Sequence, residues 1–130
     1  MKFKHKKVLI TGAGSGIGRA LSIRMSELGA DVFAVSKTES HLMSLRAERP
    51  TIKTICVDLS DWQKTRETLS ELPAMDYLVN NAGMGMSKPF LEITEEELDN
   101  IYAVNVKPIV NVSQIVVKKM VAENKPGFKT

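Results

Sequence analysis

The sequence is poor in the residues that form disulfides and metal sites. It has one cysteine, Cys56, and two histidines, His5 and His41, in 130 residues. A single cysteine excludes an intrachain disulfide framework, and the two histidines lie too far apart to show the ligand spacing of a metal site. Cys56 stands in the apolar stretch 54–57, which favours a small buried packing residue over a nucleophile.

Long apolar runs and a strong charge imbalance are also missing. No apolar run approaches the about 20 residues of a membrane-spanning helix, and the N-terminal lysines lack the apolar core of a secretory signal. We therefore expect a cytoplasmic protein without a membrane span. The formal net charge is only +3, with lysines clustered near both ends as in solvated termini. Because no aromatic residues are interleaved with these lysines, nucleic-acid binding is not expected.

Length and composition fit one ordinary globular domain. Hydrophobic residues make up 43% of the chain and charged residues 25%, which is typical of soluble proteins. No repeat, low-complexity tract or linker divides the sequence. Residues 1–130 are therefore predicted to form a single domain.

Strand-like and helix-like segments alternate along the chain. Apolar runs predict strands at 7–11, 31–36, 52–57 and 75–80, and amphipathic patterns predict helices at 17–28, 39–49, 61–71 and 94–124. Apolar strands separated by amphipathic helices are typical of a parallel sheet that is covered on both faces. Right-handed crossovers then predict an α/β doubly wound (Rossmann) fold.

A glycine-rich loop follows the first predicted strand directly. Residues 11–18 read Thr-Gly-Ala-Gly-Ser-Gly-Ile-Gly. In such a loop Gly12 permits the tight turn, Gly16 lets the backbone approach a pyrophosphate, and Gly18 lets the next helix pack closely. The helix N-terminus then offers free N–H groups to the anion. The loop predicts a dinucleotide site, and a merely tight strand-to-helix turn is the alternative.

The end of the second strand indicates which dinucleotide is bound. About 20 residues after the loop, an acidic residue ordinarily binds the ribose hydroxyls of NAD. Here the strand ends at Ser36, Lys37 and Thr38. A cation with two hydroxyls suits a 2′-phosphate, so NADP(H) is favoured over NAD(H), and Arg19 offers a second positive group. An exposed loop lysine is the plainer interpretation of Lys37.

Four motifs in order give the chain a resemblance to the short-chain dehydrogenase/reductase family. They are residues 11–18, the pair 58–59 after the third strand, residues 80–83 after the fourth strand, and Asn105 in the long helix. The stretches 36–38, 56–62, 89–92 and 112–116 are similar to the branch of L-xylulose and carbonyl reductases. The resemblance extends to about Gly127 and corresponds to the N-terminal half of a family member.

The resemblance implies a role for each matching residue. Asp58 is implied to hydrogen-bond the adenine with Leu59 beside it, Asn81 to line the adenosine ribose, and Asn105 to be the catalytic-tetrad member that holds a relay water. Relatives in this branch often have, in place of Ser15, a lysine that binds the NADP phosphate. The expected cofactor-binding residues are Gly12, Ser15, Gly16, Ile17, Gly18, Arg19, Ser36, Lys37, Thr38, Asp58, Leu59, Asn80, Asn81, Ala82 and Gly83.

The chain departs from the family pattern at the other tetrad members. These are a serine and a Tyr-x-x-x-Lys pair, and neither Tyr77 nor Tyr102 has a lysine four residues later. We therefore expect the NADP(H)-binding half of a reductase that, when complete, transfers hydride to a ketose or dicarbonyl. This truncated chain is expected to be inactive, because the proton donor is missing. The alternative is a non-catalytic NADP-binding or docking module that pairs with a full-length paralogue.

The family sheet has the strand order 3-2-1-4-5-6-7, so an order of 3-2-1-4 is expected here. The helix at 94–124 has two apolar stripes at helical spacing, and Pro108 predicts a kink beside Asn105. One stripe is expected to cover the sheet, and the other resembles the family's dimer face, which predicts self-association or pairing with the paralogue. Packing of both stripes within one domain is the alternative. The first stripe is Leu98, Ile101, Asn105, Ile109, Val112, Val116 and Met120, and the second is Tyr102, Val106, Val110, Ser113, Val117 and Val121.

Overall fold

A parallel four-stranded sheet organises the computed structural model, which describes residues 2–124. Its strands are β1 (Lys7–Thr11), β2 (Asp31–Ser36), β3 (Lys53–Cys56) and β4 (Tyr77–Val79). They pair in the order β3-β2-β1-β4, and every pairing is parallel. The predicted α/β doubly wound fold and its strand order are therefore confirmed.

Between residues 2 and 124, five helices accompany the sheet. They are α1 (Gly16–Glu27), α2 (Glu39–Glu48), α3 (Trp62–Leu69), α4 (Glu95–Asn105) and α5 (Lys107–Ala122), with a short 3₁₀ turn at Phe90–Glu92. The side chain of Thr94 and that of Glu97 form a reciprocal capping box at the start of α4, as the Thr-Glu-Glu-Glu sequence predicts. Asp61 caps α3 by accepting a hydrogen bond from the Lys64 N–H.

The apolar runs of the strands are continuous because both faces of the sheet are covered. Successive residues of a strand point to opposite faces, so Leu9 and Val35 belong to one core cluster with residues of α5. Val8 and Ile10 belong to a second cluster that contains Leu42 of α2. The two inner strands, β1 and β2, are accordingly more buried than the edge strands β3 and β4, as expected for a doubly wound sheet.

The prediction of one long helix over 94–124 is wrong. The chain breaks at Val106, where φ is −108°, and α4 and α5 are two separate helices. Pro108 lies in the first turn of α5, where its missing N–H is one that would have no intrahelical partner anyway. The proline therefore begins a helix here, and the predicted kink beside Asn105 is a complete break.

The two predicted apolar stripes are only partly buried. Val112, Val116 and Met120 face the core as predicted, but Leu98 and Ile109 of the same stripe are 59% and 46% exposed. Leu98 lies on α4, before the break at Val106, and is therefore on a different helix from Val112, Val116 and Met120. Ile109 lies after the break, in the first turn of α5. The exposed apolar face consists of Leu98, Tyr102, Val106, Ile109, Val110 and Val121.

Asn111 is a polar member of the core side of α5. It is fully buried, its Nδ2 donates to the Trp62 carbonyl at 3.1 Å, and its Oδ1 accepts from Arg66 Nη1 at 2.7 Å. Buried amides require such partners. The side chain of Asn111 therefore links α5 to α3.

Cys56 is exposed, so the prediction of a buried filler is wrong. It ends the edge strand β3, and its thiol donates to the Lys37 carbonyl at 3.5 Å. Partial desolvation, followed by the neighbouring Glu39 carboxylate, raises the pKa of this thiol. The raised pKa favours the protonated thiol at neutral pH.

Within residues 2–124, no helix is long and apolar enough to span a membrane. The same part of the chain holds no group of three or more His, Cys, Asp or Glu side chains with metal-site geometry.

Candidate functional site

A cleft of about 360 Å³ lies at the carboxyl ends of the strands. Ligands of open α/β sheets bind at this edge, where neighbouring strands have crossovers that run in opposite directions. The strand order places that point between β1 and β4. The lining residues come from the end of β2, the loops that follow the four strands, the first turn of α2 and one position of α4. They are Gly12, Gly14, Ser15, Val35, Ser36, Lys37, Thr38, His41, Val57, Asp58, Leu59, Ser60, Asn81, Ala82, Gly83, Met84 and Val104.

Gly12 and Gly18 hold the glycine loop against its neighbours. Gly12 turns the chain off β1 with a left-handed φ of 63°. A Cβ at Gly18 would overlap the Gly12 carbonyl oxygen and the Asn81 Nδ2, and it would lie 2.8 Å from the Gly12 carbonyl carbon. Gly18 therefore permits a contact between α1 and the loop that no other residue allows.

Gly16 has a different role, because nothing lies within 4 Å of the position its Cβ would take. It stands at the exposed start of α1 beside Ser15 and Ile17, whose side chain is 80% exposed. Ser15 makes no side-chain cap, and the first turn of α1 has no acidic residue. The uncapped N–H groups and the helix dipole make this helix start a favourable place for an anion.

Thr11 joins the glycine loop to the loop after β4. Its Oγ1 accepts hydrogen bonds from the N–H groups of Asn81 and Ala82, each at 3.0 Å. Asn81 Nδ2 in turn donates to the carbonyls of Thr11 and Gly12, each at 3.2 Å. The two loops that form the base of the cleft are thus positioned by one buried hydroxyl and one amide.

The end of β2 supplies the positive side chain of the cleft. Ser36, Lys37 and Thr38 all line it, and the Ser36 hydroxyl accepts from the Thr38 N–H at 3.1 Å. Arg19 does not reach this place, since its Nη2 lies 2.6 Å from Glu48 Oε2. The sequence pattern of Arg19 gave no indication of this ion pair, because Glu48 is on the next helix.

Asp58 and Leu59 line the cleft after β3. Asp58 Oδ1 accepts from the Ser60 N–H at 3.0 Å and from the Ser60 hydroxyl at 2.8 Å. These two hydrogen bonds, and more weakly the Lys37 charge, lower the pKa of the Asp58 carboxyl against the opposing effect of desolvation. The carboxylate is therefore ionised and oriented before any ligand arrives.

Asn105 holds the loop that follows β4. Its Oδ1 accepts from the Met84 N–H at 2.7 Å, and its Nδ2 donates to the Met84 carbonyl at 2.8 Å. A Cβ at Gly83 would come 3.0 Å from the same Oδ1. Met84 and Val104 line the cleft, so Asn105, the last residue of α4, positions this wall through the backbone of Met84.

The structure brings most, though not all, of the expected residues together. Ten of them line the cleft: Gly12, Ser15, Ser36, Lys37, Thr38, Asp58, Leu59, Asn81, Ala82 and Gly83. Gly16, Ile17 and Gly18 lie at the start of α1. Arg19 pairs with Glu48, and Asn80 Nδ2 donates to the Ser113 hydroxyl of α5 at 3.1 Å.

His41 is a cleft residue that the sequence reasoning missed. It lies in the first turn of α2, after the strand end where cofactor-reading residues are sought. The sequence places His41 three residues after Thr38, which is in the first helical turn after the strand end. That spacing could have identified it as a cleft residue.

Comparison with known proteins agrees with this geometry. The model of the family described as short chain dehydrogenase matches residues 6–127. The chain is 45% identical to L-xylulose reductase of Mesocricetus auratus, covering 94% of this chain and 50% of that protein. It is 42% identical to carbonyl reductase (NADPH) 2 of Sus scrofa, covering 98% of this chain and 52% of that protein. The chain thus spans about half the length of the curated relatives it matches.

A solved structure shows the same arrangement of elements. A short-chain dehydrogenase from Streptomyces avermitilis superimposes with a TM-score of 0.87 at 27% sequence identity. The match covers 94% of this chain and 47% of that one. The arrangement of strands and helices is therefore that of the short-chain dehydrogenase fold.

Proposed function

We propose that this chain, which belongs to the short-chain dehydrogenase family, binds NADP(H) as the cofactor-binding half of a carbonyl or L-xylulose-type reductase. The nicotinamide cofactor supplies the hydride, and the carbonyl substrate in the complete protein is a ketose or a dicarbonyl. The similarity to L-xylulose and carbonyl reductases supports the substrate class. We also propose that residues 1–130 form one dinucleotide-binding domain and that the protein acts in the cytoplasm.

One observation carries the proposal for NADP(H). The uncapped start of α1 and the Lys37 side chain border the same cleft, while β2 ends without a carboxylate. A helix N-terminus suits a pyrophosphate, and an ammonium suits a 2′-phosphate. The nearest downstream carboxylate, Glu39, pairs with Arg46 at 3.2 Å, which reduces its repulsion of a phosphate.

The other residues of the cleft orient and hold the cofactor in this proposal. The ionised Asp58 accepts a hydrogen bond from the adenine amino group, and Leu59 packs beside the base. Gly16 leaves room for the pyrophosphate, since its Cβ position is open. Asn105 is the tetrad member that we propose takes part in proton relay, and its bonds to Met84 position the loop beside the nicotinamide end.

Replacing Lys37 with alanine tests the cofactor proposal. We expect the dissociation constant of NADPH to rise about tenfold or more, because a charge-assisted contact is lost, and that of NADH to change less than about twofold. Binding is measured by titration of nucleotide fluorescence. Lys64→Ala, an exposed lysine of α3, is the matched control and is expected to bind like the wild type. Equal losses for NADPH and NADH would contradict the proposal.

We further expect the 130-residue chain to bind NADPH without oxidising it in the presence of a ketose or dicarbonyl. Reduction of a carbonyl needs a positioned proton donor, and neither of the two tyrosines, Tyr77 and Tyr102, lines the cleft. The measurement is NADPH absorbance with pure chain and carbonyl substrate, after binding has been shown by titration. Carbonyl-dependent oxidation above the rate without protein would contradict this prediction.

A second candidate function rests on the exposed apolar face of α4 and α5. Leu98, Tyr102 and Ile109 are 59%, 53% and 46% exposed, and exposed apolar patches mark interaction sites. In this alternative the chain is a non-catalytic module that self-associates or pairs with a full-length paralogue. Co-purification with such a paralogue supports the alternative, and a monodisperse monomer with no partner argues against it.

A further inference from the structure

We propose that His41 is a second cationic contact for the 2′-phosphate, acting with Lys37 and strengthening the preference for NADP(H) over NAD(H) as the pH falls. This inference rests on the proposed function, because it concerns the same cleft. It assigns to a residue of α2 the role that the sequence suggests for Arg19. Arg19 is held by Glu48 and is not among the residues that line the cleft.

The position of His41 places it at the phosphate end of the cleft. It lines the cleft together with Ser36, Lys37 and Thr38. Its Cβ lies 2.9 Å from the position that a Cβ at Gly14 would take, so it flanks the glycine loop. Three elements therefore meet here: the glycine loop, the end of β2 and the first turn of α2. A phosphate on the ribose that reaches Lys37 enters this corner.

The charged groups around this corner leave His41 available to an anion. On its own helix, Glu39 pairs with Arg46 at 3.2 Å, and on α1 Arg19 pairs with Glu48 at 2.6 Å. Across the cleft, Asp58 accepts two hydrogen bonds from Ser60. Lys37 and the Cys56 thiol also lie at the ends of β2 and β3 beside this corner. Among residues 2–124, none hydrogen-bonds or ion-pairs with the His41 ring.

The start of α2 adds to the positive potential at this corner. Thr38 is its N-cap, but its side chain makes no capping hydrogen bond. The first N–H groups of this ten-residue helix are therefore open to an acceptor, and the helix dipole favours a negative charge there. His41 is on that first turn. Its imidazolium form and the backbone N–H donors would therefore both suit the same kind of ligand, a phosphate monoester.

The pH dependence follows from the chemistry of imidazole. Histidine is the side chain whose charge ordinarily changes between about pH 5 and 8. A bound phosphate favours the protonated ring, so by linkage protonation strengthens phosphate binding. The 2′-phosphate is absent from NADH. The contribution of His41 to the ratio of the NADH to the NADPH dissociation constant should therefore rise as the pH falls.

The test compares the two dissociation constants at about pH 6 and about pH 8 for the wild-type chain and His41→Asn. We expect His41→Asn to lower the NADH/NADPH ratio about fivefold at the lower pH and less than about twofold at the higher pH, because imidazole ordinarily loses its charge between about pH 5 and 8. The phosphate itself titrates near pH 6, but that change is common to both proteins at each pH. His5→Asn, which alters the other histidine in the N-terminal turn, is the matched control and is expected to behave like the wild type.

Different failures identify different errors. A ratio that His41→Asn leaves unchanged at both pH values overturns this inference alone. Absence of NADPH binding by the wild-type chain overturns the proposed function, and this inference with it. His41→Glu provides a second readout, with an expected loss of NADPH affinity of about tenfold or more and little change for NADH. An equal loss for the two nucleotides overturns the role of His41 in recognising the 2′-phosphate.

Discussion

Gly18→Ala is expected to lower the free energy of unfolding by about 3 kcal/mol, as overpacking in a tightly packed site does. The added methyl group meets backbone: it overlaps the Gly12 carbonyl oxygen and lies 2.8 Å from its carbon. A backbone carbonyl cannot turn away as a side chain can, so α1 and the glycine loop must move apart. That movement also strains the Asn81 Nδ2, which donates to the Gly12 carbonyl at 3.2 Å.

The sign of this effect distinguishes it from helix propensity. Alanine in place of glycine inside a helix ordinarily stabilises by about 1 kcal/mol, and Gly18 lies within α1. Here the overlap opposes and exceeds that gain. NADPH affinity should fall with stability, because the displaced helix start no longer aims its N–H groups at the pyrophosphate.

Urea unfolding of Gly18→Ala and of a control variant measures the effect. Gly85→Ala is the matched control, since nothing lies within 4 Å of its Cβ position, and its stability should stay within about 0.5 kcal/mol of the wild type. Gly16→Ala is a second comparison, because a Cβ at Gly16 also meets nothing within 4 Å. Its left-handed φ of +55° should nevertheless cost about 1 kcal/mol of backbone strain. A Gly18→Ala protein as stable as Gly85→Ala would show that the loop can yield at no cost.

Thr11→Val is expected to destabilise the fold by about 2–4 kcal/mol, because each unsatisfied buried polar group costs about 1–3 kcal/mol. Valine keeps the shape of threonine but has no hydroxyl. The N–H groups of Asn81 and Ala82, both bonded to Thr11 Oγ1 at 3.0 Å, lose their acceptor. Thr11 is only 1% exposed, so water cannot readily replace that oxygen.

Thermal unfolding with and without NADPH measures this second effect. Thr51→Val is the matched control, because Thr51 is exposed and its hydroxyl shares a hydrogen bond of 3.2 Å with the half-buried Ser26 hydroxyl. That substitution should change stability by less than about 0.5 kcal/mol. A Thr11→Val protein that melts with the Thr51→Val control would contradict the role given to the buried hydroxyl. If the cleft is the cofactor site, NADPH should also protect Thr11→Val less than the wild type.

Patterns that are local in the sequence predicted the frame of the molecule. The run Val8-Leu9-Ile10 is apolar at every position because both faces of a central parallel strand are buried. The glycines after this run are needed where the backbone takes a positive φ, as at Gly12 and Gly16, and this requirement is also local. The Thr94 capping box is likewise local, because it needs only the fixed spacing of Thr94 and Glu97. These features need no knowledge of distant residues.

The helix break at Val106 was harder to predict, although Pro108 indicated it. Helical periodicity continues through residues 94–124, and a proline can either kink a helix or begin one. Which of these occurs depends on whether the residues on each side pack on the same surface. Here Asn105 is held by Met84 in the loop after β4, whereas Val112 and Val116 pack on the sheet. Those contacts are not local.

The sequence by itself determined the parallel sheet and the glycine loop, and it placed Lys37 at the end of β2. The family resemblance added the strand order. Only the tertiary structure decided which polar side chains meet in the cleft. It turned Arg19 to Glu48 and Asn80 to Ser113, and it brought His41 beside Gly14. The physical reason is that backbone preferences and the periodicity of apolar residues depend on near neighbours in the chain. A long polar side chain instead pairs with whichever group the packing of other elements brings within reach.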